Sequence, residues 1–221
     1  MAVVRPDVGP TLPALLRRRF GIPPAVTLAV AAVLAAGAIA LIIWLLTRPP
    51  GVGEQVVHER APVFNVLLPP GGAIRVARSR DGELMRLEGR RGALTVEVVV
   101  RPLELPPYRG DVTHGQLPAY ADGFIGAARE QLPGMELTQE GRARVNNAVG
   151  YEIGFQQVEP ESRTYGRDVL LVPDDPEEAE GFVTLSLRQS KTGGKLTKRE
   201  RNLAFLSRKA YRSFRFGTDR G

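Results

Sequence analysis

The sequence contains no cysteine, and only two of its 221 residues are histidine. The absence of cysteine excludes disulfides, thiolate metal ligands and cysteine nucleophiles. His58 and His114 stand in contexts that contain no Ser-His-Asp arrangement, no His-Glu-x-x-His motif and no three-ligand zinc spacing. We therefore expect both histidines at the surface, and we predict no catalytic residue, no metal site and no cofactor.

Phosphate-binding motifs are also missing. The 24 glycines form neither GxGxxG nor GxxxxGK[ST], so no nucleotide site is predicted. One acidic loop offers oxygen ligands that could hold Ca²⁺, namely Asp174, Asp175, Glu177, Glu178 and Glu180. Its spacing departs from D-x-[DN]-x-[DN]-G and two prolines interrupt it, which favours a solvated hairpin loop.

One long apolar run is present. Ala25 to Leu46 (AVTLAVAAVLAAGAIALIIWLL) contains no charged, Asn, Gln or Pro side chain. As a helix it would be about 33 Å long, enough to cross a hydrocarbon core of about 30 Å. A cleavable signal peptide has a shorter apolar region than this one, followed by a small-x-small cleavage site. No such site follows this run. A buried core helix is disfavoured because no face of the run is polar. The sequence therefore predicts a transmembrane helix over 25–46.

The charges beside this run predict its orientation. Arg17, Arg18 and Arg19 precede the run, whereas Arg48 stands alone after it. Cytoplasmic flanks are the ones enriched in arginine and lysine, so residues 1–24 are predicted to be a basic cytoplasmic tail and the C-terminal part to lie outside. Trp44 fits an anchor at the outer interface.

The net charge of +6 divides evenly between the two parts of the chain. Residues 1–60 hold six arginines against three acids, and residues 61–221 hold 24 basic residues against 21 acids. Dispersed charge of both signs is typical of an ordinary solvated surface, so no nucleic-acid partner is predicted.

The basic residues that do cluster lie near the C-terminus. Between 191 and 220 there are ten Lys and Arg residues against two acids. A possible basic interaction face comprises Lys198, Arg199, Arg201, Arg208, Lys209 and Arg212. It would suit anionic lipid headgroups or an acidic protein partner. The same residues could equally form the solvated face of an amphipathic helix.

Periodicity predicts an α+β domain over 63–217, with a linker at 47–62 and a short tail at 218–221. Period-two patterns predict strands at 63–68, 74–77, 83–88, 94–101, 135–145, 149–156, 165–172 and 182–189. A helix is predicted at 117–132, with an apolar stripe of Leu117, Tyr120, Phe124, Ala128 and Leu132. A second helix is predicted after Thr197 and Glu200, which form a capping box, and it buries Leu203, Leu206 and Ala210. Such an order favours an antiparallel sheet with packed helices.

Several stretches resemble a known family in their order. They are FNVLLPPG (64–71), ALTVEVVVRPL (93–103), the helix at 117–132 and VNNAVGYEIGFQ (145–156), followed by GRDVLLVPD, GFVTLSLRQS and AYRSFRFG. The chain over about 61–217 thereby resembles the PsbP-like α/β/α sandwich family, which includes DcrB-type and LpqN-type bacterial envelope proteins. The resemblance implies an accessory or binding role. It carries over no functional residue, because the family shares no catalytic set.

These observations predict a non-enzymatic, single-pass envelope protein with an extracytoplasmic interaction domain. Its expected partners are the membrane and another envelope protein, with a possible anionic lipid contact. The alternative is a protein that binds a small or lipidic ligand between sheet and helix, near Tyr151, Phe155 and Phe124. An enzyme with an unrecognised site is a third reading.

Overall fold

The computed structural model describes residues 53–174 and 181–218, together with eight isolated positions between Val26 and Ile39. The chain divides into two compact units, Met1–Gly51 and Val52–Gly221. The second unit contains all the strands and helices defined below.

The predicted transmembrane segment, Ala25 to Leu46, lies for the larger part outside the described residues. The flanking residues Arg17, Arg18, Arg19, Trp44 and Arg48 also lie outside them. The eight described positions of the run are helical and exposed. At the positions that are described, no helix has both the length and the apolar character needed to cross a membrane.

Two antiparallel sheets form the domain. The larger one has the strand order β3-β4-β5-β9-β8-β7-β6, and the smaller one has the order β1-β2-β10. The strands are β1 Glu54–His58, β2 Phe64–Leu68, β3 Arg75–Ala77, β4 Met85–Arg91, β5 Leu94–Leu103, β6 Met135–Val145, β7 Ala148–Val158, β8 Ser162–Pro173, β9 Phe182–Thr192 and β10 Arg215–Phe216. Helix α1 is Leu117–Gln131, preceded by a π-helical turn at Val112–Gln116, and helix α2 is Lys198–Arg212.

The large sheet buries both of its faces. One face packs against α2 and the small sheet through a core that includes Val98, Leu185 and Leu203. The other face packs against α1 through a smaller core that includes Ile153 and Leu170. The predicted α+β class with an antiparallel sheet and packed helices is confirmed, and its layers are α/β/α.

Part of the segment predicted as a linker is a strand. Glu54–His58 forms β1 and pairs with β2 over its whole length, from Glu54 opposite Leu68 to His58 opposite Phe64. Val56 packs against the main core, and the His58 ring stacks on Phe64 at 4.9 Å. The flanking prolines and glycines of this segment indicate irregular backbone, but pairing with β2 decides its structure.

Strand β5 also extends beyond its predicted end, through Pro102 to Leu103. Proline cannot donate a hydrogen bond, so within a sheet it needs a position with one unpaired side. Such a position exists because the pairing of β4 with β5 stops at Met85 opposite Val100, while β9 continues opposite Pro102 and Leu103.

The helices bury different residues from those predicted. Helix α1 buries Leu117, Ala121 and Ile125, one row of positions four apart, and leaves Tyr120 and Phe124 half-buried. The predicted residues Tyr120, Phe124, Ala128 and Leu132 pack against this core as partly buried side chains. Helix α2 begins at its predicted capping box but buries Ala204, Ser207 and Tyr211 in addition to Leu203 and Ala210, whereas Leu206 is half-buried.

Candidate functional site: the last helix and the cavities beside it

Helix α2 begins at a complete capping box. The Thr197 hydroxyl accepts a hydrogen bond from the Glu200 N–H, and the Glu200 carboxylate accepts one from the Thr197 N–H at 2.8 Å. The same carboxylate accepts a hydrogen bond from the Ala93 N–H and forms an ion pair with Lys191 at 3.2 Å. Glu200 therefore fastens the helix to the turn between β4 and β5 as well as capping it.

These contacts stabilise the ionised form of Glu200. The hydrogen bond from the Thr197 backbone is the largest cause, and it lowers the pKa of Glu200 to about 2. The carboxylate leaves no room for a side chain at Gly92, where a Cβ would lie 2.8 Å from Glu200 Oε1. Gly92 also has a φ of 55°, which glycine adopts without strain. We infer a structural role for Glu200.

The six predicted basic residues are all exposed, and they do not all lie on the same face of α2. Arg201, Arg208 and Arg212 follow one another at intervals of seven and four, which places them on a single face with Phe205. Lys198 and Lys209 flank this face, and the Lys209 ammonium lies 4.9 Å from the centre of the Phe205 ring. Arg199 points away from this face. Among the described residues, no acidic side chain forms an ion pair with any of the six.

A polar cavity of about 380 Å³ lies beside α2. The helix contributes Arg208, Tyr211 and Arg212 to its walls, and the sheet contributes the ion pair of Arg167 and Glu152. Gly154 and Gly166 also line it.

A second cavity of about 540 Å³ adjoins the polar one, and both are lined by Tyr165 and Gln189. Its lining is mainly apolar, with Val158, Leu196 and Ala204 among the lining residues. Three cations, Arg163, Lys191 and Lys195, and two acids, Glu159 and Glu161, also contribute to its wall. The two cavities together form a groove with one apolar and one basic end.

Tyr211 is the unusual residue of the polar cavity. Its side chain is 2% exposed, and its hydroxyl is a buried polar atom with no hydrogen-bond partner among the described residues. Burial raises the pKa of Tyr211 well above its usual value, so the group is a neutral hydrogen-bond donor. The neighbouring Gln189 is satisfied, because its amide donates to Ala204 O at 2.9 Å and to Ser207 Oγ at 2.8 Å.

A second charged cluster lies on the opposite face of the sheet, and its members are paired. Arg86 is 2% exposed and donates from Nε to Glu83 Oε2 at 2.8 Å, with Glu97 at 3.1 Å from its Nη1. This arginine lowers the pKa of Glu83 to about 2. Asp168 is 1% exposed and accepts two hydrogen bonds of 2.8 Å from Arg188. Because the buried charges satisfy one another, this cluster is a structural network rather than a binding site.

The other residues considered from the sequence lie apart from one another. His58 is half-buried in β1, where burial lowers its pKa, and His114 is exposed beside Asp111. In the acidic loop, Asp174 forms an ion pair with Arg144, and residues 175–180 are outside the described part. In the described residues, no three acidic or histidine side chains are grouped as metal ligands.

The aromatic residues proposed for a ligand pocket pack in or against the core beside α1, and two of them also line cavities: Phe155 lines the polar cavity beside α2, and Phe124 lines a mainly apolar cavity of about 550 Å³. Phe155 is 2% exposed there, and Phe124 and Tyr151 pack against the same core. The groove beside α2 therefore shares Phe155 with the predicted pocket, while Tyr151 and Phe124 are not among its lining residues. Ser207 and Tyr211 carried a usable signal for it, because two polar residues at a spacing of four follow the buried row that begins at Leu203.

Comparisons with solved structures find proteins of similar fold. The cyanobacterial PsbP from Synechocystis sp. PCC 6803 matches with a TM-score of 0.47 and 12% identity, over 75% of this chain and 92% of that protein. LpqN, a protein involved in cell envelope biogenesis of Mycobacterium tuberculosis, matches with a TM-score of 0.43 and 13% identity, over 73% of this chain and 89% of its own. Both are of the kinds named by the sequence resemblance. No protein-family model and no curated protein matches the chain.

Proposed function

We propose that this chain is a non-enzymatic, single-pass membrane protein whose extracytoplasmic α+β domain is an interaction module for another envelope protein. The solvent face of α2 is the observation that carries the interaction role. It presents Arg201, Arg208, Arg212 and Phe205 together, with no acidic partner among the described residues. Unpaired cations beside an exposed aromatic ring suit an acidic protein surface, since arginine and aromatic residues are enriched in interface cores.

The proposed membrane anchor rests on the apolar run and its flanks. Twenty-two residues without a charge suffice to cross a bilayer, and Arg17, Arg18 and Arg19 mark the cytoplasmic side. The described positions of the run are helical and expose Val33, Leu34 and Ile39. Exposed aliphatic side chains of this kind are favourable in lipid and unfavourable in water.

The proposed non-enzymatic role rests on the state of the buried carboxylates. Glu83, Asp168 and Glu200 each accept hydrogen bonds from an arginine or from the backbone. A general acid or base needs a carboxylate that can exchange its proton with a substrate, which these engaged groups are not arranged to do.

Membrane extraction and topology mapping test the anchor. We expect the chain to stay in the pellet after alkaline carbonate extraction, and a C-terminal alkaline phosphatase fusion to be active. Changing Arg17, Arg18 and Arg19 together to Gln should lower that activity, because the positive flank orients the helix. Arg5→Gln, about 20 residues from the run, is the control. Release of the chain by carbonate would refute the anchor.

Crosslinking in native membranes tests the interaction role. We expect a specific crosslinked adduct with the wild-type chain, and its loss when Arg201, Arg208 and Arg212 are all changed to Glu. Reversing charges at a basic surface weakens association with an acidic partner by orders of magnitude at low salt.

The control carries the same change of net charge on another surface. Arg75, Arg78 and Arg90 are exposed and lie outside α2, so their triple change to Glu should leave the adduct intact. Equal loss in both variants would show that net charge alone matters, and would count against this face. Loss of binding to anionic vesicles instead of the adduct would assign the face to lipid headgroups.

Binding of a small or lipidic ligand is the second candidate function. The groove beside α2 favours it, because this groove joins an apolar cavity to a polar one. Phe155, one of the residues expected at such a pocket, lines its polar end.

A further inference from the structure

The polar end of the groove beside α2 contains a buried hydroxyl that has no hydrogen-bond partner among the described residues. Tyr211 lines the polar cavity, and its buried hydroxyl makes no hydrogen bond with the described residues. An unsatisfied buried hydroxyl is destabilising, so native structures rarely keep one without a reason. The hydroxyl is neutral and can donate to an acceptor in the cavity.

The charges that line the cavity indicate which kind of ligand it favours. Arg208 and Arg212 line the same cavity from α2, and neither forms an ion pair with a described residue. The remaining charges in the lining, Arg167 and Glu152, neutralise each other through their own ion pair. The cavity thus has two uncompensated positive charges, which favour a ligand with an anionic oxygen.

The lining of the adjoining cavity indicates the chemistry of the remaining part of the ligand. Its lining is mostly apolar and includes Leu94, Val158 and Leu196, and it meets the polar cavity along Tyr165 and Gln189. Ligand sites in general are largely apolar clefts with a few convergent polar groups, which is the composition of this pair of cavities.

We propose that the groove binds a small organic anion, a carboxylate or phosphate monoester with an apolar body. The anionic group accepts the hydrogen bond of the Tyr211 hydroxyl and pairs with Arg208 and Arg212, and the apolar body lies in the neighbouring cavity. This site goes beyond the proposed interaction role and does not depend on membrane orientation.

The test uses the full chain in nanodiscs of phosphatidylcholine, titrated with phenyl phosphate and followed by calorimetry. We expect saturable binding, with inorganic phosphate and benzyl alcohol each binding at least about tenfold more weakly, because each lacks one half of the recognised chemistry. Equal binding of inorganic phosphate would overturn the role of the apolar cavity. The absence of saturable binding by phenyl phosphate would overturn the site.

Variants assign the binding to these residues. Tyr211→Phe should weaken the binding of phenyl phosphate about tenfold. It should not lower the melting temperature, because the hydroxyl that it removes makes no hydrogen bond with the described residues. Arg208→Gln with Arg212→Gln should weaken it further. Lys209→Gln is the matched control, since Lys209 is on the same helix but lies over Phe205.

Two results would contradict the assignment. If Tyr211→Phe lowered the melting temperature and left the affinity unchanged, the hydroxyl would have a structural role, satisfied by ordered water. If Lys209→Gln weakened binding as much as the change at Arg208 and Arg212, the effect would be one of general charge rather than of this cavity.

Discussion

At the residue scale, close approaches decide which positions tolerate a side chain. Phe155 and Gly166 lie directly opposite each other on β7 and β8, and the phenyl ring covers the glycine. A Cβ at Gly166 would come within 2.1 Å of the ring. Arg188 also lies 4.7 Å from the ring centre, so the ring has a neighbour that limits its movement. We infer that the core beside α1 requires glycine at 166.

Gly166→Ala should lower the free energy of unfolding by about 1–3 kcal/mol, because overpacking displaces the Phe155 ring. Gly123→Ala is the control within α1, where a new Cβ meets nothing within 4 Å. That change should raise stability by about 0.5–1 kcal/mol, as alanine does in a helix interior. Urea denaturation measures both. Equal effects of the two changes would contradict the packing argument.

The buried pair of Glu83 and Arg86 makes a second residue-scale prediction. Arg86→Met leaves the nearly buried Glu83 carboxylate with Arg101, at 3.0 Å, as its only ion-pair partner among the described residues, together with the hydrogen bond from the Arg80 N–H. We expect the free energy of unfolding to fall by about 3–5 kcal/mol, as for other buried ion pairs from which one partner is removed. The double variant Glu83→Gln with Arg86→Met should recover part of this loss in the same denaturation experiment. A double variant less stable than Arg86→Met would refute the explanation.

At the element scale, α2 is held at both ends by contacts to distant turns. Glu200 connects its start to Ala93 in the β4–β5 turn. Asn146, in the β6–β7 turn, donates to Arg212 O at 2.9 Å and to Phe214 O at 2.7 Å at its end. Gly89 lets the helix approach β4, because a Cβ there would lie 2.9 Å from Leu203. These contacts position the helix face that carries Arg208 and Tyr211.

The start of α2 yields a pH prediction. The pKa of Glu200 is about 2 in the folded chain, below the ordinary value of 4.5, so its ionised form stabilises the fold above about pH 4.5. This stabilisation is lost as the pH falls from 4.5 to 2. We expect Glu200→Gln to melt at a lower temperature than wild type above pH 5, with the difference shrinking toward pH 2. Thermal melts at several pH values measure it.

The exposed residue Glu104 provides the control for removing one negative charge. The melting temperature of Glu104→Gln should follow that of wild type across the same pH series. If Glu200→Gln also followed wild type at every pH, the carboxylate would not contribute to stability through its ionised form.

At the scale of the whole molecule, the two core clusters lie within one compact unit. Every residue of both clusters falls in Val52–Gly221, from Val56 in β1 to Phe216 in β10. Phe214 and Phe216 bring the chain end back onto β2, which completes the small sheet. Both core clusters of the described residues are therefore formed within this one unit.

A chain that starts at residue 52 should fold without detergent and melt in one cooperative transition. For about 170 residues the calorimetric enthalpy should be about 120 kcal/mol near 60 °C. A further truncation that starts at residue 60 removes β1, and with it the pairing to β2 and the stack of His58 on Phe64. Its melting temperature should be lower. A broad, non-cooperative melt of the longer fragment would show that the first 51 residues are needed for folding.

Local features of the fold could be predicted from the sequence because they depend on neighbouring residues. The strand at 135–145 and the capping box of Thr197 and Glu200 are both found where they were predicted. Periodicity missed β1 in the linker and the true buried row of α1. In both cases a partner distant along the chain, β2 or the large sheet, decided the structure.

The candidate site was predictable only in part, for the same reason. The sequence alone determined the apolar run at 25–46, the order of strands and helices, and the cluster of cations on the last helix. Only the tertiary structure decided that β9 lies between β5 and β8, which places Gln189 and Tyr165 beside α2. The cavity at Tyr211 exists because of that strand order. Contacts between segments far apart in sequence leave no periodic signal within either segment.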